Sequence, residues 1–394
     1  AAIASSCKIL QDDAIAAPDL SDVQSISLES LRQMYSLPPA PWHMGDPERP
    51  AYVVFTSGTS AAPRAVQHAH RAIWARRMMH KDWYDISSDD RLLHAGAFNW
   101  TFTLGTGLMD PWSVGATALI PEDGTLPEDL PDLLATHKAT LFAAAPGVFR
   151  KILRTEMPKL AHLRHALSAG EKMPIALHQA WKDMTGLNVY EAFGMSECST
   201  FISSSPSREA GHEQLGTPQT GRNVSVIKED GQQASPCEIG TIAIHRSDPG
   251  LMLGYLNDTA ATKARFHGEW FLTGDLGHAD ETGAITYAGR SDDMINAGGF
   301  RLSPLEIEAL FQSEPAISQC AAIEISLKQD VTVIALCYVA NRDVEQSTLE
   351  ALAKRNLARY KQPRIYHPCD TLPSSANGKL LRRVLRAEIE AHYG

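Results

Sequence analysis

Thr56, Ser57, Thr59 and Ser60 place four hydroxyl groups around Gly58, and Arg64 adds a permanent positive charge a few residues on. Residues of these types can hold phosphate: hydroxyls donate, a glycine lets the backbone come close, and a guanidinium supplies charge. The stretch, FTSGTSAAPRAV from Phe55 to Val66, follows Ala51-Tyr52-Val53-Val54-Phe55, a β-branched and aromatic run that reads as a buried strand. A helix-like stretch begins near His70 and carries Ile73 and Trp74. Strand, loop and helix in that order turn backbone N–H groups toward an anion. No Gly-Lys-Ser/Thr closes the loop, so it is not the Walker pattern. On these residues alone, a polar turn between strand and helix is the competing reading.

The elements that must position such a loop recur downstream. Thr140 to Ala145 reads as a buried strand ended by Pro146-Gly147. Leu167-Ser168-Ala169-Gly170-Glu171 and Asn188 to Glu197 (NVYEAFGMSE) repeat the theme of a strand running into small residues. Strands that each end in a small-residue turn, with helical segments between, predict an α/β architecture with a site at the strand ends. Ala95 to Leu119 mixes Phe98, Trp100 and Phe102 with Gly105, Gly107 and Gly115, which suits either core packing or the wall of an apolar pocket. Ahead of the loop, Cys7 to Leu10 reads as a short strand and Ser27 to Tyr35 as a helix.

After Gly240 the texture changes. Thr241 to His245 alternates as a strand, and Trp270 to Asp275 (WFLTGD) runs into a turn. Gly289-Arg290-Ser291-Asp292-Asp293 reads as a charged linker, and so as a domain boundary. Beyond it, Ser303-Pro304-Leu305-Glu306 predicts a capping box opening a helix with Ile307, Leu310 and Phe311 on one face, and Ser347-Thr348-Leu349-Glu350 predicts a second. Val331 to Val339 is the strand between them. Asn377-Gly378-Lys379 precedes an amphipathic helix bearing Leu381, Val384, Leu385 and Ile389. The expected domains are therefore a large one over 1–290 and a small α/β one over 291–394.

Composition narrows the class. At 394 residues the chain exceeds one typical core; 44% hydrophobic and 21% charged residues describe an ordinary soluble protein. A formal net charge of −10 argues against general nucleic-acid binding. The six cysteines show no CxxC pair or metal-ligand spacing, which predicts isolated reduced thiols in a cytoplasmic protein. The apolar runs are too short to span a bilayer, so no membrane partner is expected.

Five separated stretches resemble one family. FTSGTSAAPRAV, SAGE with EAFGMSE, GYLND through WFLTGD, GRSDDMINAGGFRLSPLEIE, and PSSANGK stand in the order of the acyl- and aryl-CoA synthetases of the adenylate-forming superfamily. SAGE, YLND and GEWFLTGD look most like the benzoate-type ligases. The resemblance implies ATP, Mg²⁺ and coenzyme A. A carboxylate attacks the α-phosphate of ATP to give an acyl-adenylate and pyrophosphate, and the CoA thiol then displaces AMP. It implies that Thr56 to Ser60, with Arg64, hold the β- and γ-phosphates, that Glu197 ligates Mg²⁺, and that Ser196 bonds the α-phosphate. The adenine would lie between Gly170-Glu171 and Glu191-Ala192-Phe193, and Asp275 and Arg290 would take the ribose. Lys379 would stabilise the charge of the adenylation transition state, an effect typically worth about 10²–10³ in rate. Asp292 would be the hinge of a mobile small domain, Gly298 and Gly299 would line the pantetheine tunnel, and Ala97, Phe98, Trp100 and Gly170 the acyl pocket.

Some residues depart from the family pattern. The family loop usually reads TSGTTGxPKG, whereas TSAAPRA lacks the second glycine and has Arg64 and Ala65 for Lys and Gly. The aromatic stretch AFNWTF suggests an aryl or compact apolar acid. A same-fold alternative loads the phosphopantetheine of a carrier protein in trans; one of another class is a non-catalytic nucleotide-binding relative. An oligomer is compatible with either. Family members usually carry roughly a hundred or more residues ahead of the segment that Cys7 to Leu10 resembles. The expectation is therefore a large domain truncated at its N-terminal side, by gene truncation, by processing, or because that part lies outside the structure. Its sheet should then show an unpaired edge or apolar face.

Overall fold

The computed structural model describes residues 8–11, 24–41, 43–56, 63–98, 101–211, 213–297, 300–328, 331–374 and 380–393. The chain forms two compact units, Ala1–Asp46 and Pro47–Gly394. In the first, strands Lys8–Gln11 and Gln24–Ser27 pair in parallel. Ser27 then caps the helix Leu28–Gln33, its hydroxyl accepting from the Ser30 N–H at 3.1 Å.

The second unit is built on a 12-stranded sheet, counted among the described residues. One half is parallel: Thr117–Leu119, Arg91–Ala95, Leu141–Ala144, His165–Ala169 and Val189–Met195 lie side by side. Leu141–Ala144 is apolar and buried at every position because both of its faces are covered. Adjacent residues of the Leu141–Ala144 strand serve opposite cores. Phe142 packs with Phe149 and Trp181, and Leu141 with Trp83, Tyr84 and Phe102. At Val189–Met195 the sheet turns antiparallel, through Ser199–Ser203, Gln214–Pro218, Ile285–Arg290, Trp270–Ala279 and Gly240–His245 to Val224–Ile227. A separate three-stranded sheet joins Gly254–Tyr255, Ala65–Ala69 and Pro50–Phe55. Its edge strand, Pro50–Phe55, exposes Val53 and Phe55.

Several expectations shift in detail. WFLTGD does not end in a turn: the strand runs from Trp270 to Ala279, with a register shift between Leu276 and Gly277. Gly289 and Arg290 close a strand, so the irregular linker begins at Ser291. Pro146-Gly147 opens a helix, Pro146–Ile152, with Pro in its first turn. Thr101 to Val114 is helical with a π-helical turn at Gly105–Met109.

Beyond the linker, Ile317–Lys328 and Val331–Ala340 pair antiparallel, and Ile365–Pro368 joins in parallel. Helices Pro304–Gln312 and Gln346–Asn356 cover one face through Ile307, Phe311 and Leu349. The helix Arg382–Tyr393 covers the other through Leu385 and Ile389, while Val384, expected on that face, is exposed. Neither capping box forms. Ser303 precedes the first helix, but its hydroxyl is buried without a partner and Glu306 pairs with Lys361. The second helix starts at Gln346, and Glu350 accepts from Gln346 at 2.8 Å. Arg382 anchors the last helix, bonding buried Glu308 at 2.6 and 3.0 Å and pairing with Asp293 at 3.5 Å. Cys198, Cys237, Cys320, Cys337 and Cys369 are free thiols, yet Cys337 and Cys369 are hydrogen-bonded neighbours and so not isolated.

Candidate active site

The GMSE stretch is the tip of a tight hairpin at the point where the sheet turns antiparallel. Met195 pairs with Ser199 and Gly194 with Thr200, leaving Ser196, Glu197 and Cys198 at the turn. A Cβ on Gly194 would lie 2.2 Å from the Ser199 carbonyl oxygen, so only glycine permits this approach. Glu197 is buried, and its Oε1 accepts from the Tyr255 hydroxyl at 2.6 Å. Burial, then the adjacent Glu197 charge, pushes the Tyr255 phenol up to about 12. The Arg64 guanidinium lies over the Tyr255 ring, 5.1 Å from its centroid. Tyr255 thus touches both the end of the hydroxyl-rich loop and the hairpin tip. The loop is tied at its base, where the Thr56 N–H donates to the Arg64 carbonyl at 2.9 Å and the Arg64 N–H to Thr56 Oγ1 at 3.3 Å. Ser57, Gly58, Thr59 and Ser60 lie outside the described residues.

His68 fastens the same hairpin from the small sheet. Its Nε2 lies 2.7 Å from the Ser196 carbonyl, so that nitrogen carries the proton and donates. Tyr52 stacks on the ring at 4.8 Å, and burial lowers His68 to about 4, leaving it neutral.

Asp275 and Arg290 face each other across paired strands. Asp275 is buried; its Oδ1 accepts from the Tyr287 hydroxyl at 3.0 Å and its Oδ2 from Arg290 at 3.2 Å. Burial opposes the Arg290 charge, but Asp275 and Asp292 outweigh it and raise the guanidinium's pKa. Phe193, of EAFGMSE, stands 5.8 Å from the Tyr287 ring and joins that hairpin to the Asp275 pair. Asp292 is exposed and accepts from Arg290 Nε at 3.1 Å.

Gly170 ends the His165–Ala169 strand with φ +100°, beside Ala192 of the neighbouring strand. Glu171 is half-buried. Glu191 turns its carboxylate back onto the segment after Gly170, accepting from the Met173 N–H at 2.8 Å and meeting His178 at 3.0 Å. A small cavity of about 40 Å³ brings Gly170 and Ser196 together with Phe102, Thr101 and Arg76. Ala97 and Phe98 are exposed and do not line it, so Phe102 supplies its aromatic ring. Trp100, Gly298, Gly299 and Lys379 lie outside the described residues. A wider cleft of about 560 Å³, beside Arg208 and Asp280, contains none of the expected site residues. Sequence reasoning did not single out Tyr255, Tyr287, His68 or Arg76. Tyr255 alone had a signal, as part of GYLND.

Residues 3–256 match the model of the AMP-binding enzyme family, and residues 306–379 that of the AMP-binding enzyme C-terminal domain. The chain belongs to the AMP-binding enzymes. It is 27% identical over 351 residues to a mitochondrial acyl-coenzyme A synthetase of Rattus norvegicus, covering 85% of this chain and 60% of that protein. To the 3-hydroxybenzoate–CoA ligase of Aromatoleum sp. (strain CIB) it is 29% identical, over 88% of this chain and 67% of the other. This AMP-binding chain thus spans 60% of the rat relative's length. ATP-bound MatB from Rhodopseudomonas palustris has the same fold, with a TM-score of 0.86 over 94% of this chain and 75% of that one at 24% identity. Among the described residues, no helix is long and apolar enough to cross a membrane.

Proposed function

We propose that the chain is an ATP- and Mg²⁺-dependent acid–CoA ligase that forms an acyl-adenylate and then the acyl-CoA thioester. The observation that carries this is the convergence on one hairpin. Phe193 meets Tyr287, which holds Asp275 with Arg290; Tyr255 holds Glu197 and carries Arg64; and Gly170 stands beside Ala192. A carboxylate oxygen of the acid attacks the α-phosphorus and pyrophosphate leaves. The CoA sulfur then attacks the acyl carbon and AMP leaves. Asp275 accepts the ribose hydroxyls and Arg290 steadies both. The adenine stacks by Phe193, between the Gly170 turn and Ala192. Thr56 to Ser60 and Arg64 hold the outer phosphates, and Ser196 the α-phosphate.

Among the described residues no cluster of three or more His, Cys, Asp or Glu side chains forms a metal site. The single carboxylate of Glu197 fits Mg²⁺, which keeps waters and takes phosphate oxygens as its other ligands. Bound there, the ion would neutralise phosphate charge. Lys379 supplies the ammonium of the adenylation step. The large domain over 1–290 and the small one over 291–394 reorient about Asp292 between the steps, with Gly298 and Gly299 lining the pantetheine path. Similarity to an acyl-coenzyme A synthetase and a 3-hydroxybenzoate–CoA ligase supports an aryl or compact acid and CoA as acceptor. The free thiols support a cytoplasmic setting.

Acid-dependent exchange of labelled pyrophosphate into ATP, followed by CoA addition, tests this. Exchange with thioester formation is expected. Exchange with transfer only to a carrier protein would move the acceptor assignment, and no exchange with any acid would overturn the ligase.

A further inference from the structure

We infer that the buried Arg76–Asp110 pair is the floor of the acyl pocket and selects a compact acid whose far end carries a neutral hydrogen-bonding group, a hydroxyl above all. The inference rests on the proposed adenylating site, because the cavity above Arg76 is the one that Gly170 and Ser196 also line.

Arg76 and Asp110 are 4% and 2% exposed. Nε donates to Asp110 Oδ1 at 2.8 Å and Nη2 to Oδ2 at 2.6 Å, a bidentate fork. Nη1 donates to the Ser199 hydroxyl. Tyr84 completes the support, donating to Asp110 Oδ2 at 2.7 Å. These bonds use three of the five guanidinium N–H groups, so two remain on a side chain that lines the cavity. The backbone is shaped around this cation: a Cβ on Gly105, in the π-helical turn, would lie 1.8 Å from Arg76 Nη2. Such π-helical turns are frequent at functional sites.

Three selections follow from volume and charge. A cavity of about 40 Å³ holds only two or three water-sized groups, so a long acyl chain does not fit. Asp110 already neutralises Arg76, so a second carboxylate would enter as an uncompensated buried charge. A methyl group would leave the two remaining Arg76 N–H groups without an acceptor, which costs affinity. A hydroxyl satisfies both kinds of neighbour, accepting from the guanidinium and donating to a threonine or serine.

The test compares hydroxy-, methyl- and carboxy-substituted short acids of matched shape. Each is measured twice with the full chain: direct binding by ligand-observed NMR, and pyrophosphate exchange. Wild type should favour hydroxy over methyl by 10-fold or more in both. Arg76→Met/Asp110→Leu, which replaces a buried pair by apolar groups, should bring that ratio to one or below. Ser199→Ala keeps the pair and should lower the ratio several-fold, so it decides the matter if the double variant does not fold. A wild type indifferent to the hydroxyl, or an unchanged ratio in a folded variant, overturns the assignment. If binding ranks as expected but exchange is absent, the ligase proposal fails and the pocket floor stands.

Discussion

Replacing Tyr255 by Phe removes one hydroxyl and little else, yet that hydroxyl holds the carboxylate proposed for Mg²⁺. The ring stays in its core beside Phe201 and Phe271, and Arg64 keeps an aromatic face. What is lost is a 2.6 Å bond to a buried carboxylate. Bonds to charged groups are worth about 1.5–3 kcal/mol, which corresponds to roughly 10–150-fold in an equilibrium constant. Part of that loss should appear as freedom of the Glu197 side chain, and therefore as weaker metal affinity. The expected result is an apparent Kd for Mn²⁺, read by electron paramagnetic resonance with ATP present, raised about tenfold or more. The Mg²⁺ concentration for half-maximal exchange should rise in step, and kcat at saturating Mg²⁺ should fall far less.

The phenol's displaced titration adds a control. With its pKa near 12, the hydroxyl stays protonated across working pH, so wild-type metal affinity should show no step from this group between pH 7 and 10. A variant with lowered thermal stability but an unchanged Mn²⁺ Kd would assign Tyr255 to packing alone and refute its positioning role.

Three further outcomes are expected. Lys379→Ala should depress adenylation by about 10²–10³ and spare thioester formation from supplied acyl-adenylate; equal loss in both would count against Lys379. Asp292→Pro should keep pyrophosphate exchange and lose thioester formation, because a fixed φ freezes one orientation, whereas unchanged rates would move the hinge elsewhere. Burial holds His68, His94 and His165 at about 4, 3 and 4, below the ordinary 6.5. Only the unfolded chain takes up these protons between about pH 6.5 and 4, so stability is complete above 6.5 and falls with pH through that window. Each group contributes on the order of 3 kcal/mol, and urea midpoints flat from pH 7 to 5 would contradict it.

The strands were legible because burial on both faces writes itself as short apolar runs, as in Leu141–Ala144 and His165–Ala169. Gly170 was legible as a strand-end turn. Helix starts were less so. Ser303-Pro304-Leu305-Glu306 has the right letters, but a capping box needs its glutamate free, and Lys361, distant in sequence, holds Glu306 at 2.5 Å. Ser347 loses its partner in the same way, to Gln346. Tyr287 and Arg76 were not legible at all. Nothing in Arg76-Arg77 says which arginine is buried, because that depends on Asp110, 34 residues on.

The placement of the two carboxylates explains why the hairpin matters more than any one motif. Parallel strands alone present strand ends lined by backbone and small residues, suited to a flat adenine but poor in charge. The antiparallel half adds the charge: Glu197 at the first turn after the switch, Arg290 one strand beyond Gln214–Pro218 and Asp275 on the next. Joining the halves requires a turn so tight that Gly194 must lack a Cβ, and the same closeness puts Ser199 against Arg76. The contacts of Glu197, Phe193 and Ser199 are therefore fixed by one hairpin. Adjustment for a new acid would then have to come from the helical Thr101–Val114 segment, whose Gly105 sits against Arg76 and whose Thr101 and Thr106 line the same cavity without belonging to the hairpin.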